Sequence, residues 1–142
     1  MQYRETTQVP NILFDRYFPL LSESELRVLL VIIRQTYGWV DKKTGGRKVK
    51  DRISHGQFMQ KSGLSRRAIS KAVNLLVIKH LIKVVDVKGR TVEQAHQRKG
   101  ATLLTYSLCF PTQRRQLSRI NGVQDIQDIL HSRGYPVRHL VP

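Results

Sequence analysis

Polar side chains recur at helical spacing between residues 65 and 74. With a turn of about 100° per residue, the segment separates into a polar arc and an apolar arc of a helix. The polar arc holds Arg67, Ser70, Lys71 and Asn74, and the apolar arc holds Ile69, Ala72, Val73 and Leu76. Arginine bonds guanine O6 and N7 with two hydrogen bonds, and asparagine does the same for adenine N6 and N7. We predict that Arg67 and Asn74 contact base edges of double-stranded DNA, with Arg66 as a further candidate at the rim of the arc.

The hydroxyl and ammonium groups on the same segment suit contacts to phosphate. We assign this role to Ser65, Ser70 and Lys71, because the positive end of the helix dipole lies near Ser65. The alternative is that the cations form only a solvated helix face, as most charged helix faces do.

Two loops supply further candidate contacts to the DNA backbone. The first, residues 88–102, connects two predicted strands and is predicted to be the long, flexible tip of a wing; its basic residues are Lys88, Arg90, Arg98 and Lys99. The alternative for this long connection is a disordered, solvated loop. The second loop, residues 41–52, surrounds a Gly-Gly pair and contributes Lys42, Lys43, Arg47 and Lys48. It is the weaker candidate, because nothing in the sequence defines its geometry.

The charge distribution points to the same region. The chain has 142 residues and a net charge of +15. Residues 1–40 and residues 120–142 each contain equal numbers of basic and acidic residues, so the whole excess falls within residues 41–119. The electrostatic field of this positive charge attracts polyanions, so we expect the partner-binding face to lie within residues 41–119.

Motifs for catalysis and for cofactor or metal binding are absent from the sequence. It has no phosphate-binding glycine-rich loop, no His-x-x-x-His pair and a single cysteine, Cys109. We expect no enzymatic activity, no cofactor and no metal site, and Cys109 as a small buried residue. No apolar run reaches the roughly 18 residues of a membrane helix, so we expect a protein of the bacterial cytoplasm or nucleoid with no membrane partner.

The elements that must position these side chains follow from capping signals. Ser22 with Glu25 and Ser54 with Gln57 are capping boxes that begin two helices, and Ser65 caps a third after a turn at Gly63. Segment 81–87 is rich in β-branched residues and segment 103–110 alternates between apolar and polar residues, and together they predict a hairpin. Tyr37 and Trp39 end an apolar helix, and we interpret them as packing residues.

This order predicts a winged helix-turn-helix. The expected class is α+β and mainly helical, with a two-stranded wing hairpin. We expect a DNA-binding domain over residues 1–111 and a C-terminal helical extension over residues 112–142, where apolar residues recur at helical spacing.

Several segments resemble the N-terminal domain of the phage replication protein O family. They are residues 7–11 (TQVPN), residues 29–39 (LLVIIRQTYGW), Ile53-Ser54 with Gln57-Phe58, and residues 63–67 (GLSRR) with Ser70, Ala72, Leu75 and Leu81-Ile82. The resemblance covers roughly residues 7 to 85. Its most distinctive parts are the Val-Pro-Asn start and the Arg-x-Thr-Tyr-Gly-Trp stretch.

The resemblance implies an initiator that binds repeated sites at a replication origin, often as a homodimer, and whose separate C-terminal part recruits replication proteins. The residues after the matched block are too few for such a part, so we expect either a fragment of a longer initiator or a stand-alone DNA binder. Two alternatives use the same scaffold: a transcriptional regulator and a winged helix for protein association.

Overall fold

A computed structural model of the chain describes residues 2–101 and 103–110. These residues form an α+β fold in which helices pack on a small antiparallel sheet, and this architecture is compatible with a winged helix. The predicted extension over residues 112–142 and its boundary at residue 111 lie outside the described residues.

The helices begin where the capping signals predicted. After a π-helical turn (Leu13–Tyr17) and a 3-10 turn (Phe18–Leu20), helix α1 spans Glu23–Gln35, α2 His55–Ser62 and α3 Arg66–Ile78. Both capping boxes form: the serine hydroxyl accepts from the third helical amide, and the Glu25 or Gln57 side chain accepts from the serine amide. Because all these contacts lie within four residues, local sequence is enough to specify them.

The sheet has three strands: β1 (Lys50–Arg52), β2 (Ile82–Val85) and β3 (Thr105–Leu108), in the order β1-β3-β2. The predicted antiparallel hairpin is confirmed, because Val84 lies opposite Tyr106 and Ile82 opposite Leu108. The strand β1 adds a third member to the sheet by pairing with β3, with Asp51 opposite Tyr106.

One apolar core joins the helices to the inner face of the sheet. Its fully buried members include Leu29 and Ile32 of α1, Ile69 and Leu76 of α3, and Tyr106 of β3. The rings of Tyr106 and Phe58 meet edge to face with their centroids 5.1 Å apart. Burial raises the pKa of Tyr106 to about 12, so its phenol stays neutral in the core.

The connection between β2 and β3 is more ordered than the sequence indicated. The chain turns sharply after β2, and Val92 returns to donate its amide to the Val84 carbonyl at 3.0 Å. A one-turn helix, α4 (Ala95–Arg98), follows. Val92 and Arg98 are both buried, so the prediction of a long free tip is wrong.

Candidate nucleic-acid interface

Helix α3 is fixed on one side and open on the other. Its apolar arc is buried, with Ile69 and Leu76 fully inaccessible to solvent. Ser65 caps its start by accepting a hydrogen bond from the Ala68 amide at 3.2 Å. Capping and burial together hold the helix in one orientation, so the side chains of its other face project from a rigid element.

The open side carries four polar residues that the sequence selected. Arg66, Arg67, Ser70 and Lys71 are all exposed. Within the described part of the chain, none of the three cations forms an ion pair or a side-chain hydrogen bond. Three unpaired cations beside a helix N-terminus, where amide groups point outward, form a site with the chemistry to bind phosphate or base acceptors.

The turn before α3 sets the angle between α2 and α3. Gly63 ends α2 with φ of 73°, and its amide donates to the Met59 carbonyl at 2.9 Å. A left-handed residue at this position is typical of a helix C-cap and favours glycine. Arg27 of α1 donates to the Ser62 carbonyl at 3.0 Å, which fastens the turn to the first helix.

The C-terminal half of the predicted reading face is covered. Asn74, a predicted base contact, accepts a hydrogen bond on Oδ1 from the guanidinium of Arg98 at 3.0 Å. Arg98, a predicted phosphate contact, is only 9% exposed and also donates to the carbonyls of Val92 and Glu93. Burial lowers the pKa of Arg98. The expectation that Arg98 lies on an exposed tip is therefore wrong, and the open part of the α3 face is its N-terminal half.

A groove that the sequence did not predict runs beside this open half. It has a volume of about 630 Å³ and lies between α3, the start of α2 and the α4 segment. Residues from all three elements line it, among them His55, Arg66, Ser70, His96 and Lys99. His55 Nε2 lies 3.2 Å from Ser70 Oγ. Burial lowers the pKa of the His55 imidazole, and the nearby Arg66 guanidinium lowers it further.

His55 carried no signal in the sequence because its partner lies fifteen residues away on another helix. A contact between residues this far apart leaves no regular spacing in the sequence. The structure thus adds an imidazole to the polar groups beside the α3 face.

The turn after β2 presents the predicted wing cations. Asp86 accepts hydrogen bonds from the amides of Lys88 and Arg90, both at 2.9 Å, and pairs with the Arg90 guanidinium at 2.8 Å. The backbone hydrogen bond from Arg90 is the main reason that the pKa of Asp86 is lowered. Lys88 and Arg90 are both exposed. The Arg90 guanidinium is paired with Asp86, whereas the Lys88 side chain projects from the turn.

The basic loop is a short hairpin. Val40 bridges Arg47, and the Asp41 amide donates to the Gly46 carbonyl at 2.7 Å. Lys42, Lys43 and Arg47 are exposed, whereas Lys48 is half-buried and pairs with Asp51. Of the four predicted contacts in this loop, three remain open to a ligand.

Two packing predictions are wrong. Trp39 is 53% exposed rather than part of the core, and the Arg34 guanidinium carbon lies 4.9 Å from its ring centroid. Cys109 is exposed as well, directly after the central strand β3, where its amide donates to the Leu81 carbonyl at 2.9 Å. Trp39 and Cys109 each lie at the end of a segment rich in apolar residues. The periodicity of apolar residues does not reveal at which residue such a segment leaves the core.

Residues 2–101 and 103–110 contain no helix of the length and apolar character that a membrane crossing requires. The same residues contain no group of three or more His, Cys, Asp or Glu side chains placed to hold a metal ion.

Comparison with known proteins gives one match. No curated protein and no solved structure is similar to the chain at a significant level. The sequence model of the family described as bacteriophage replication protein O matches residues 5–97, which is well over half of the 142 residues. The match includes α1, α2, α3 and the turn after β2, and it extends the resemblance seen over residues 7–85. The chain therefore belongs to the bacteriophage replication protein O family, and its role lies in phage replication.

Proposed function

We propose that this protein binds specific double-stranded DNA sites in a phage or mobile-element replication origin through helix α3. The observation that carries the proposal is the open N-terminal half of α3, where Arg66, Arg67 and Lys71 are exposed and unpaired within the described residues. Membership in the bacteriophage replication protein O family supports the proposal that the sites lie in a replication origin. Recognition helices enter the major groove with their N-terminal residues against base edges, which is the half that is open here.

Each residue of the open face has a role that fits its chemistry. Arg67 is the base reader, because its guanidinium projects without a partner and can bond guanine with two hydrogen bonds. Arg66 lies at the groove and reads an adjacent base. Ser65, Ser70 and Lys71 bind phosphates, which set the register of the helix on the duplex. Asn74 is left out of the proposed contacts because its Oδ1 accepts from Arg98.

The flanking loops provide backbone contacts in this proposal. Lys88 and Arg90 project from the turn after β2, and Lys99 lines the groove beside α3. Contacts of this kind add affinity without sequence preference. We propose that the chain acts by binding, with no catalysis of its own, and that replication proteins or a second copy of the chain assemble on the bound origin.

The test is selection of sites from a random duplex pool with the 142-residue chain, followed by the same selection with Arg67→Ala. We expect a defined site for the wild type. The variant should lose about 1 to 3 kcal/mol on that site and relax its preference at one base position. Arg16→Ala is the matched control, because it removes an exposed arginine from a helical turn outside the proposed interface.

A salt series on the selected site completes the test. Phosphate contacts make the logarithm of the association constant fall steeply and linearly with the logarithm of salt concentration. Equal weakening of all sequences by Arg67→Ala would make that residue a phosphate contact and contradict the reader role. Sites that overlap promoters would favour a transcriptional regulator, and the absence of duplex binding at low salt would favour a protein-association module.

A further inference from the structure

Trp39 lies outside the core in an arrangement that the neighbouring chain constructs. The Arg34 guanidinium lies over its ring, with 4.9 Å between the guanidinium carbon and the ring centroid. Arg34 also donates to the Gly38 carbonyl at 3.3 Å. Gly38 is required here, because a Cβ at this position would lie 2.2 Å from the Arg34 carbonyl oxygen. The close turn thus holds Arg34 against the ring, and the Trp39 residue remains 53% exposed.

Trp39 also begins the basic hairpin of residues 39–48. The Lys48 amide donates to the Trp39 carbonyl at 2.9 Å, so the ring stands at the base of the hairpin. Lys42, Lys43 and Arg47 are exposed on it. Its acidic member, Asp41, accepts from the Lys43 amide at 2.8 Å and stabilises the turn. An exposed aromatic ring and several cations therefore share one short, defined element.

We propose that the hairpin of residues 39–48 is a second nucleic-acid site, which binds unpaired DNA strands by stacking a base on Trp39. Single strands are bound by aromatic rings that stack on bases and by cations that follow the phosphates. The Arg34 guanidinium lies over the ring and the Trp39 residue is 53% exposed, an arrangement that leaves ring surface on which a base can stack. In duplex DNA the faces of the bases are already stacked on each other, so Trp39 has a partner only where the strands are separated.

The sheet order separates the hairpin of residues 39–48 from the turn after β2. The hairpin leads into β1, whereas the turn with Lys88 follows β2, and these strands are the two edges of the sheet. The inference uses Trp39 and the cations of the hairpin and no residue of α3, so it does not depend on duplex recognition by α3. A protein with both sites would hold a duplex site and an adjacent opened strand at the same time.

Intrinsic fluorescence gives a direct test, because Trp39 is the single tryptophan of the chain. The probe is oligothymidylate of about 15 nucleotides, within the range of single-strand sites. We expect it to quench Trp39 fluorescence at low salt, and a duplex of the same length to quench it far less. Trp39→Ala should bind the oligothymidylate about 5- to 150-fold more weakly, and Trp39→Phe should keep most of the affinity.

Two controls separate stacking from other effects. Phe14→Ala removes the side chain of an aromatic residue that is 54% exposed, about as much as Trp39, and it should leave oligothymidylate binding unchanged. The triple variant Lys42→Ala, Lys43→Ala and Arg47→Ala should lower the salt slope by about 2, since each phosphate contact on a single strand contributes about 0.7. Circular dichroism checks that each variant is folded.

The outcomes are distinguishable from those of the α3 test. Arg67→Ala should lose duplex preference and keep the quenching by oligothymidylate, while Trp39→Ala should keep the duplex preference. The proposal is overturned if oligothymidylate does not quench Trp39, or if Trp39→Ala binds it as tightly as Phe14→Ala does. Equal quenching by duplex would also overturn it and would make the hairpin a duplex contact.

Discussion

A buried ion pair ties the first helix to the end of helix α3. Glu25 and Lys79 are 1% and 6% exposed, and the Lys79 ammonium donates to Glu25 Oε1 and, at 2.8 Å, to the Leu20 carbonyl. The second carboxylate oxygen of Glu25 accepts from the Ser22 amide at 2.6 Å. Each oxygen of this carboxylate therefore has its own donor. We predict that Glu25→Gln strongly destabilises the protein.

The magnitude follows from counting donors and charges. A glutamine has one acceptor oxygen, so either the Ser22 amide or the Lys79 ammonium loses its hydrogen bond to this side chain. The Lys79 charge then stays buried without a counter-ion. Removing one member of a buried pair costs about 3 to 5 kcal/mol. This is a large fraction of the roughly 5 to 15 kcal/mol that typically stabilises a folded domain.

The chain offers a matched control in the same helical turn. Like Glu25, Glu23 forms an ion pair, in this case with Arg27 at 2.7 Å, but the Glu23–Arg27 pair is exposed to solvent. Glu23→Gln removes the same charge at the same end of α1, and we expect a loss of about 0.2 to 1 kcal/mol. Urea unfolding followed by circular dichroism measures both variants.

A double variant tests the cause. Replacing both members by apolar residues, Glu25→Leu with Lys79→Met, removes the uncompensated charge and should recover much of the stability that Glu25→Gln loses. Losses for Glu25→Gln and Glu23→Gln that agree within about 0.5 kcal/mol would refute the reasoning, since the predicted difference rests on the burial of the Glu25–Lys79 pair.

Two further predictions concern the turn before α3 and the groove beside it. Gly63→Ala should destabilise the protein by about 1 to 2 kcal/mol, because φ is 73° there and the new Cβ meets nothing closer than 3.8 Å, so backbone strain acts alone. Gly56→Ala, inside α2, should instead be neutral or stabilising by urea unfolding, and a loss equal to that of Gly63→Ala would exclude the strain argument. Because burial lowers the pKa of His55 below its ordinary 6.5, the unfolded chain takes up the proton first and stability falls as the pH drops below that value. Urea unfolding midpoints of the wild type should therefore decrease between about pH 7.5 and 5.5, and His55→Gln should make this decrease smaller. The control variant His96→Gln, which changes an exposed histidine, should leave the decrease unchanged. Equal pH dependence of the midpoint in the two variants would contradict the prediction.

Contacts between near neighbours account for what could be predicted of the fold. Ser22, Ser54 and Ser65 each cap a helix through a group three residues away, and Gly63 ends α2 at the expected place. The strand pairing of 82–85 with 105–108 also follows from residue types. The polar arc from Arg66 to Lys71 is a local property of one helix, and the structure leaves it exposed.

Contacts between distant residues explain what could not be predicted. Arg98 lies on Asn74, twenty-four residues earlier, and this contact covers part of the predicted reading face. Lys79 reaches Glu25 across fifty-four residues, so the second role of that carboxylate had no local signal. Trp39 follows an apolar helix yet lies outside the core, because the turn at Gly38 directs it away.

The sequence by itself determined the capped helices, the cationic face of α3 and the membership in a replication family, because caps and helical periodicity act within a few residues of the chain. Only the tertiary structure decided which half of that face stays open, that His55 lies beside it and that Trp39 stands exposed on a basic hairpin. The physical reason is that burial depends on what packs against a side chain, and those partners come from distant parts of the chain.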